Sequence, residues 1–348
     1  MNFKTLNCIV FSFLFQGYYG LAQETAPEES QEIDTTFSSA SLGLVGDPSD
    51  VSTDTRAGLV LMGGSTDVDS AIQWMIQRSG GGDVVIIRAS GTDAYNEYIF
   101  GLGKVNSVET ILIDSRQLAN NENIAQKILD AEMLFIAGGD QSNYMNYWRG
   151  TKTMDALNYL LNIKKIPFGG TSAGCAILGS EYFSGENGSI TSEEALSDPY
   201  NRKLTVYSED FLKAPFLDNV ITDQHFSQRN RPGRLVSFLA RIIHDFNIMP
   251  KAIAVDEKTA VCIDENGIAK VLGDNHAYFI KTNSSKLPEK IEANQNIIWN
   301  QDQKAISVYK IKASPRAAFN VKSFDFSEAK GGESNWWFVE EGMLKLSN

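Results

Sequence analysis

Histidine, cysteine and proline are scarce in this chain of 348 residues, which holds three, three and nine of them. Only Cys175 and Cys262 lie beyond the N-terminal apolar segment, too few for a disulfide framework and without metal-ligand spacing. No metal ion or organic cofactor is therefore expected. Basic charge is also in deficit: 31 lysines and arginines face 43 acids, a formal net charge of −12. That balance argues against generic binding to nucleic acid or to an anionic membrane surface. Long apolar runs are missing too. The longest, "LNCIVFSFLF" at 6–15, is too short to span a bilayer. With Lys4 before it and "GLA" ahead of Gln23, residues 1–22 read as a secretory signal peptide, which makes the protein secreted or periplasmic. Residues 23–54, rich in Glu, Ser, Thr, Asp and Pro, read as a flexible linker. No stable membrane insertion is expected after signal cleavage.

What is present, from residue 58 onward, is alternation. Short apolar runs at 58–64, 83–89, 109–115, 133–139 and 166–172 have the composition of buried strands. Between them lie helix-like stretches at 67–78, 94–104, 121–131 and 141–161, the last in one or two pieces. This predicts an α/β fold with a mainly parallel sheet and helices on both faces. Ligands collect beyond the carboxyl ends of such strands, where Gly63-Gly64, Gly138-Gly139 and Ser172 would fall. After residue 205 the pattern changes to a strand end, a polar loop and an amphipathic helix at 233–246. Residues 251–280 alternate and turn at Asp256-Glu257-Lys258 and Asn266-Gly267, which reads as hairpins. Scattered strand-like runs fill 282–348.

Gly170-Thr171-Ser172-Ala173-Gly174 fits the G-x-S-x-G nucleophile elbow, a tight strand-to-helix turn that exposes the serine hydroxyl. The same pentapeptide also fits a plain strand-to-helix packing turn. A serine nucleophile needs a general base, usually oriented by a third group. Of the three histidines, His244 lies within the amphipathic helix and His276 in a turn-rich hairpin. His225 alone sits in a loop dense with potential ligands, "TDQHFSQRNRPGRL". Candidates for the orienting carboxylate between Ser172 and His225 are Glu181, Glu186, Glu193, Glu194, Asp198, Glu209, Asp210 and Asp218, and periodicity does not choose among them. An oxyanion hole needs two backbone N–H groups, which Ala173 and the Gly138-Gly139 turn, through Gly139, would supply.

Together, "GGDQ" (138–141), "GTSAG" (170–174) and "DQHFSQRNRPGRL" (223–235) resemble the cyanophycinases, in the serine peptidase family that includes dipeptidase E. The resemblance covers about residues 57–281 and divides the chain into a catalytic α/β domain (55–281) and a C-terminal β-rich extension (282–348). It implies a fold like the class I glutamine amidotransferases (flavodoxin-like), with Ser172 as nucleophile and His225 as base. It also implies a glutamate downstream of the elbow as third member, placed at Glu194 with Glu193 as the neighbouring choice. Gln141, Asp223, Gln224, Arg229, Arg231 and Arg234 match positions that line the family's substrate pocket.

The substrate that the resemblance implies is a polyaspartate backbone with arginine on each β-carboxyl, cleaved to β-aspartyl-arginine dipeptides. Each arginine arm keeps a free α-carboxylate, and an arginine fork grips a carboxylate bidentately. Asp223 is a candidate partner for the substrate guanidinium. The reading is a secreted serine exopeptidase acting through an acyl-enzyme, with a homodimer as the family's assembly. The alternatives are an aspartyl dipeptidase of the same family and a non-catalytic binder of zwitterionic acidic peptides.

Overall fold

Burial follows the alternation along the chain. The computed structural model describes residues 40–348, and the expected signal peptide and the linker up to residue 39 lie outside the described residues. In chain order the first half contains β1 (Ser41–Gly46), β2 (Gly58–Met62), α1 (Asp69–Arg78), β3 (Val84–Arg88), α2 (Tyr95–Leu102) and β4 (Ser107–Leu112). It continues through α3 (Arg116–Ala119), α4 (Glu122–Asp130), β5 (Met133–Ile136), α5 (Gln141–Trp148), α6 (Lys152–Tyr159) and β6 (Pro167–Thr171). Residues Leu160–Lys164 extend α6 as one wider turn, so the 141–161 stretch is indeed in pieces.

Strands β2 and β5 are buried at every position, the signature of a parallel sheet covered on both sides. Their alternate side chains go to opposite faces. Val60, Met62 and Phe135 pack with Ile72 and Met75 of α1, whereas Leu59, Leu61 and Leu134 pack with Ile124 of α4 and Leu157 of α6. The parallel core runs β4-β3-β5-β6-β2. Its first four positions repeat the 2-1-3-4 order of flavodoxin-like sheets, and the earlier strand β2 takes the fifth. The expected α/β class with helices on both faces is thus observed.

Part of the expected linker is strand. "SLGLVG" pairs antiparallel with β4, and β1 closes that edge of the sheet because an unpaired outer strand would leave its backbone groups open.

The second half adds α7 (Ala173–Ala176), β7 (Glu181–Phe183), α8 (Ser192–Ser197), β8 (Val206–Ser208), β9 (Val220–Gln224) and α9 (Pro232–Phe246). Then come β10 (Lys251–Val255), β11 (Thr259–Asp264), β12 (Ile268–Gly273), β13 (His276–Lys281) and β14 (Ile306–Lys312). The chain ends with β15 (Phe319–Asn320), β16 (Gly332–Glu340) and β17 (Met343–Ser347). Strands β11, β12 and β15 extend the first sheet beyond β2, and a second sheet runs β17-β16-β14-β13-β10-β9-β7-β8.

The turn at 266–267 closes a hairpin between β11 and β12, as its Asn-Gly suggests. The segment 256–258 does not. It carries the chain from β10 in the second sheet to β11 in the first, because Ala252 and Ala254 face α9 while Ile253 and Val255 face the core shared with β2. The β-rich extension 282–348 packs on the sheets: β14 pairs with β13 along six residues, and Phe319 of β15 stacks on Phe279 with ring centroids 3.9 Å apart. The described residues form one compact unit.

Candidate active site

Strand β6 delivers Ser172 to the carboxyl edge of the first sheet, immediately before α7. Its backbone has φ 53° and ψ −117°, a conformation that non-glycine residues seldom adopt and that marks a strained elbow. The flanking glycines explain how the turn closes. A Cβ at Gly170 would lie 2.6 Å from the Gly174 backbone, and one at Gly174 would lie 2.3 Å from the Ile136 carbonyl oxygen. Both positions require the missing side chain. Ala173 is the first residue of α7, so its N–H has no partner earlier in the helix. The Gly138-Gly139 turn lies over the serine: a Cβ at Gly138 would come 3.2 Å from Ser172 Cβ, and Gly139 lines the same cavity as Ser172.

His225 follows β9 with φ 47°, held there by donation of its backbone N–H to the Gly63 carbonyl, 2.8 Å. Ser172 Oγ is 2.8 Å from His225 Nε2, within proton-transfer reach. On the far side of the ring, Nδ1 is 2.6 Å from Glu257 Oε1. With the Nδ1 proton donated to that carboxylate, Nε2 is left to accept from the hydroxyl. Gly64, φ 92°, makes room for this relay, since a Cβ there would lie 2.5 Å from the imidazole.

The orienting carboxylate therefore differs from the expected one. Glu194 is not at the histidine. It closes a capping box at the start of α8, where Thr191 Oγ1 accepts from its N–H and its Oε2 accepts from the Thr191 N–H, and its Oε1 pairs with Lys203 at 2.7 Å. Glu193 lines a different cavity. Both glutamates belong to the first turn of a helix, where acids favour the dipole. Glu257 escapes the sequence reading because it lies beyond the stretch between serine and histidine, in a segment, 256–258, with the composition of a hairpin turn. The available signal was its place just past the apolar run 252–255, at the carboxyl end of a buried strand. Its backbone is fixed from both sides. Its N–H donates to Gln228 Oε1 at 2.9 Å, and its carbonyl accepts from Asn275 Nδ2 at 2.9 Å. The other histidines lie elsewhere: His244 bonds Tyr200 on the surface of α9, and His276 opens β13 beside Asp256.

A polar cavity of about 300 Å³ opens at the serine. Of the expected pocket residues, Gln141, Gln224, Arg229, Arg231 and Arg234 line it, and Asp223 does not. The Asp223 carboxylate is engaged below the cavity floor. Arg234 donates to it through both Nε and Nη2, and Arg231 Nη1 lies 3.7 Å away. Both members of the Arg234 pair are 2% exposed, so Asp223 is the counter-ion of the arginines and is not free for a guanidinium. Arg231 also donates to the carbonyl and side-chain oxygen of Gln224, which fixes its fork. Arg229 remains 53% exposed at the cavity mouth, 3.8 Å from Glu257 Oε1.

Electrostatics favour a neutral imidazole. Burial lowers the His225 pKa below its ordinary 6.5, the hydrogen bond to Glu257 opposes that shift, and the nearby charges of Arg229 and Arg231 reinforce it. Burial likewise brings Arg231 down to about 10, with Asp223 working against the shift. The Cys175 thiol, three residues past the serine, is fully buried and pushed well above its usual range by burial. It is no nucleophile. Among the described residues no group of three or more His, Cys, Asp or Glu is gathered for a metal ion, and no helix is long and apolar enough to cross a membrane.

Cyanophycinases are similar to this chain: that of Trichormus variabilis is 27% identical over 166 residues, 48% of this chain and 50% of its own. That of Synechococcus elongatus is 29% identical over 205 residues, 57% and 58% of the two chains. The chain thus spans about half the length of these curated relatives. Among solved structures, a peptidase from an acI-B1 Actinobacterium aligns with TM-score 0.47 at 15% identity, over 65% of this chain and 91% of that one. A putative peptidase E from Listeria monocytogenes EGD-e aligns with TM-score 0.41 at 16% identity, over 63% and 99%. The model of peptidase family S51 matches residues 59–271, more than half of the sequence, and the chain belongs to that family.

Proposed function

We propose that this protein is a serine exopeptidase that hydrolyses β-linked arginyl-aspartate polymer, cyanophycin, to β-aspartyl-arginine dipeptides, and that it acts after export. The observation that carries the reading is the continuous Ser172–His225–Glu257 relay opening into a cavity lined by three arginines. Ser172 Oγ attacks the scissile carbonyl while Nε2 takes its proton, and the Ala173 and Gly139 N–H groups receive the developing oxyanion. Collapse of the tetrahedral intermediate breaks the C–N bond, and the leaving amine departs with the proton from Nε2. A water then adds to the ester, giving its proton to the same nitrogen, and the second collapse returns that proton to Ser172 Oγ. Glu257 stays ionised and stabilises the imidazolium formed in each half-reaction. Free α-carboxylates on the arginine arms fit Arg229 and the fixed fork of Arg231.

Incubation of the purified protein with cyanophycin, followed by mass analysis of soluble products, tests this. Release of β-aspartyl-arginine, abolished in Ser172→Ala, is the expected result. Intact polymer together with cleavage of short aspartyl dipeptides would move the activity to the dipeptidase branch. No turnover of either would overturn the peptidase reading and leave a binding protein.

A further inference from the structure

The family match ends at residue 271, yet the strands beyond it build a second concavity beside the first, of about 600 Å³. One wall consists of Ser192 and Glu193 at the start of α8, Asn230 ahead of α9, and Pro232 at its first position. The active-site cavity uses Gly188, Ser189, Arg229 and Arg231 from the same two segments. Residues 188–193 and 229–233 therefore form a partition between the two cavities, tied across by the Ser192 hydroxyl donating to the Asn230 carbonyl.

The opposite wall is one face of β13, β14 and β16. Register places Tyr278, Lys310 and Glu333 in one row across these strands, Val308 and Asn335 in the next, and Ile306 and Trp337 in a third. Positions two apart on a strand share a face, so the rows stack on the same side. Polar groups of Lys310, Glu333, Asn335 and Trp337 on this face are left without partners among the described residues. Lys310 and Glu333 are directly opposite each other, yet among the described residues neither has an ion-pair partner, and the Lys310 ammonium has only the Tyr278 ring, 5.8 Å away. Asn335 Oδ1 and Trp337 Nε1 are buried with no hydrogen-bond partner, and Trp337 is 3% exposed. A buried donor and a buried acceptor left unpaired on one cavity face call for a ligand that pairs them.

We propose that this concavity is a second subsite, which holds a zwitterionic arginyl-aspartate unit of the same substrate strand; the inference rests on the peptidase reading above. Lys310 receives the arm's α-carboxylate, Glu333 and Glu193 face its guanidinium, and Trp337 Nε1 donates to a peptide carbonyl. A unit held here raises the effective concentration of the strand at Ser172. It benefits the polymer and does nothing for a substrate too short to cross the partition.

The test compares polymer with a two-unit substrate in wild type, Lys310→Glu and Glu333→Lys, together with retention of Ser172→Ala on immobilised polymer with and without Lys310→Glu. Selectivity for polymer over the two-unit substrate, as a ratio of kcat/KM, is expected to fall at least about fivefold in each charge reversal. Retention of Ser172→Ala is expected to weaken when Lys310→Glu is added. An unchanged ratio, or equal losses on both substrates, would overturn the subsite while leaving the peptidase intact. Failure of wild type on both substrates would sink the peptidase reading. In that event, equal retention of the two Ser172→Ala proteins would sink the subsite, and unequal retention would preserve it as a binding site.

Discussion

At the scale of single residues, the two glutamates make a sharp comparison. Glu257→Gln keeps the size of the side chain but removes the charge that faces the imidazolium, and kcat should fall by roughly 10²–10⁴-fold. Glu194→Gln should keep full activity, since glutamine still completes the capping box at α8 and the side chain's partners are Thr191 and Lys203, not His225. Steady-state kinetics of the two variants side by side would decide the assignment; a large loss in the second would return the role to α8. Acid-side behaviour follows from His225. Its folded pKa is depressed, so the neutral base persists below the ordinary value of 6.5, and the acid limb of kcat/KM should inflect below that value. The linked stability is full above 6.5 and is lost as pH falls through the lower folded value. Arg229→Gln removes one of the charges that depress it, and its acid limb should move to higher pH, alongside a raised KM. A pH–rate profile for both proteins checks this. Ser172 and His225 were legible in the sequence because the elbow is a local motif and histidine is rare. Glu257 was not, since its role depends on which strand leads into which sheet, and no local spacing encodes that.

At the scale of elements, the link between β9 and α9 carries the pocket. Asp223 sits on the strand, Arg231 caps the helix and Arg234 lies in its first turn, with Pro232 at the first helical position setting the entry. Arg234→Met would leave the Asp223 carboxylate buried and short of its bidentate partner, a loss of about 3–5 kcal/mol. Chemical denaturation should show it, and a loss below about 1 kcal/mol would mean that Arg231 at 3.7 Å takes over the charge. The helices and parallel strands of 58–180 were readable to within a few residues, because period and burial coincide there. β1 was not: "SLGLVG" is small and half-exposed, and it becomes a strand only because β4 offers it an edge. The arginine cluster was readable as a pocket, but its counter-ion was not, because Asp223 points below the floor from the strand face that α9 covers.

At the scale of the whole molecule, residues 282–348 complete both sheets. β14 covers the edge of β13, and β15 covers that of β12. A chain ending at Lys281 would open those edges and strip Phe319 from Phe279, and it should fail to give a soluble, cooperatively folded protein. Sedimentation and near-ultraviolet circular dichroism would show this; a folded, active truncation would mean that 282–348 is dispensable for folding. The sequence hid this integration because short strands with long connections carry little periodicity. The crossing of residues 256–258 between the sheets has a further consequence. Ser172 rides on the first sheet, His225 on the second, and Glu257 on the strand of chain that passes from one to the other. No intermediate with only one sheet formed can align all three groups. During refolding, recovered hydrolysis therefore times the final docking step, and it must trail the return of backbone ellipticity wherever the sheets form before they meet.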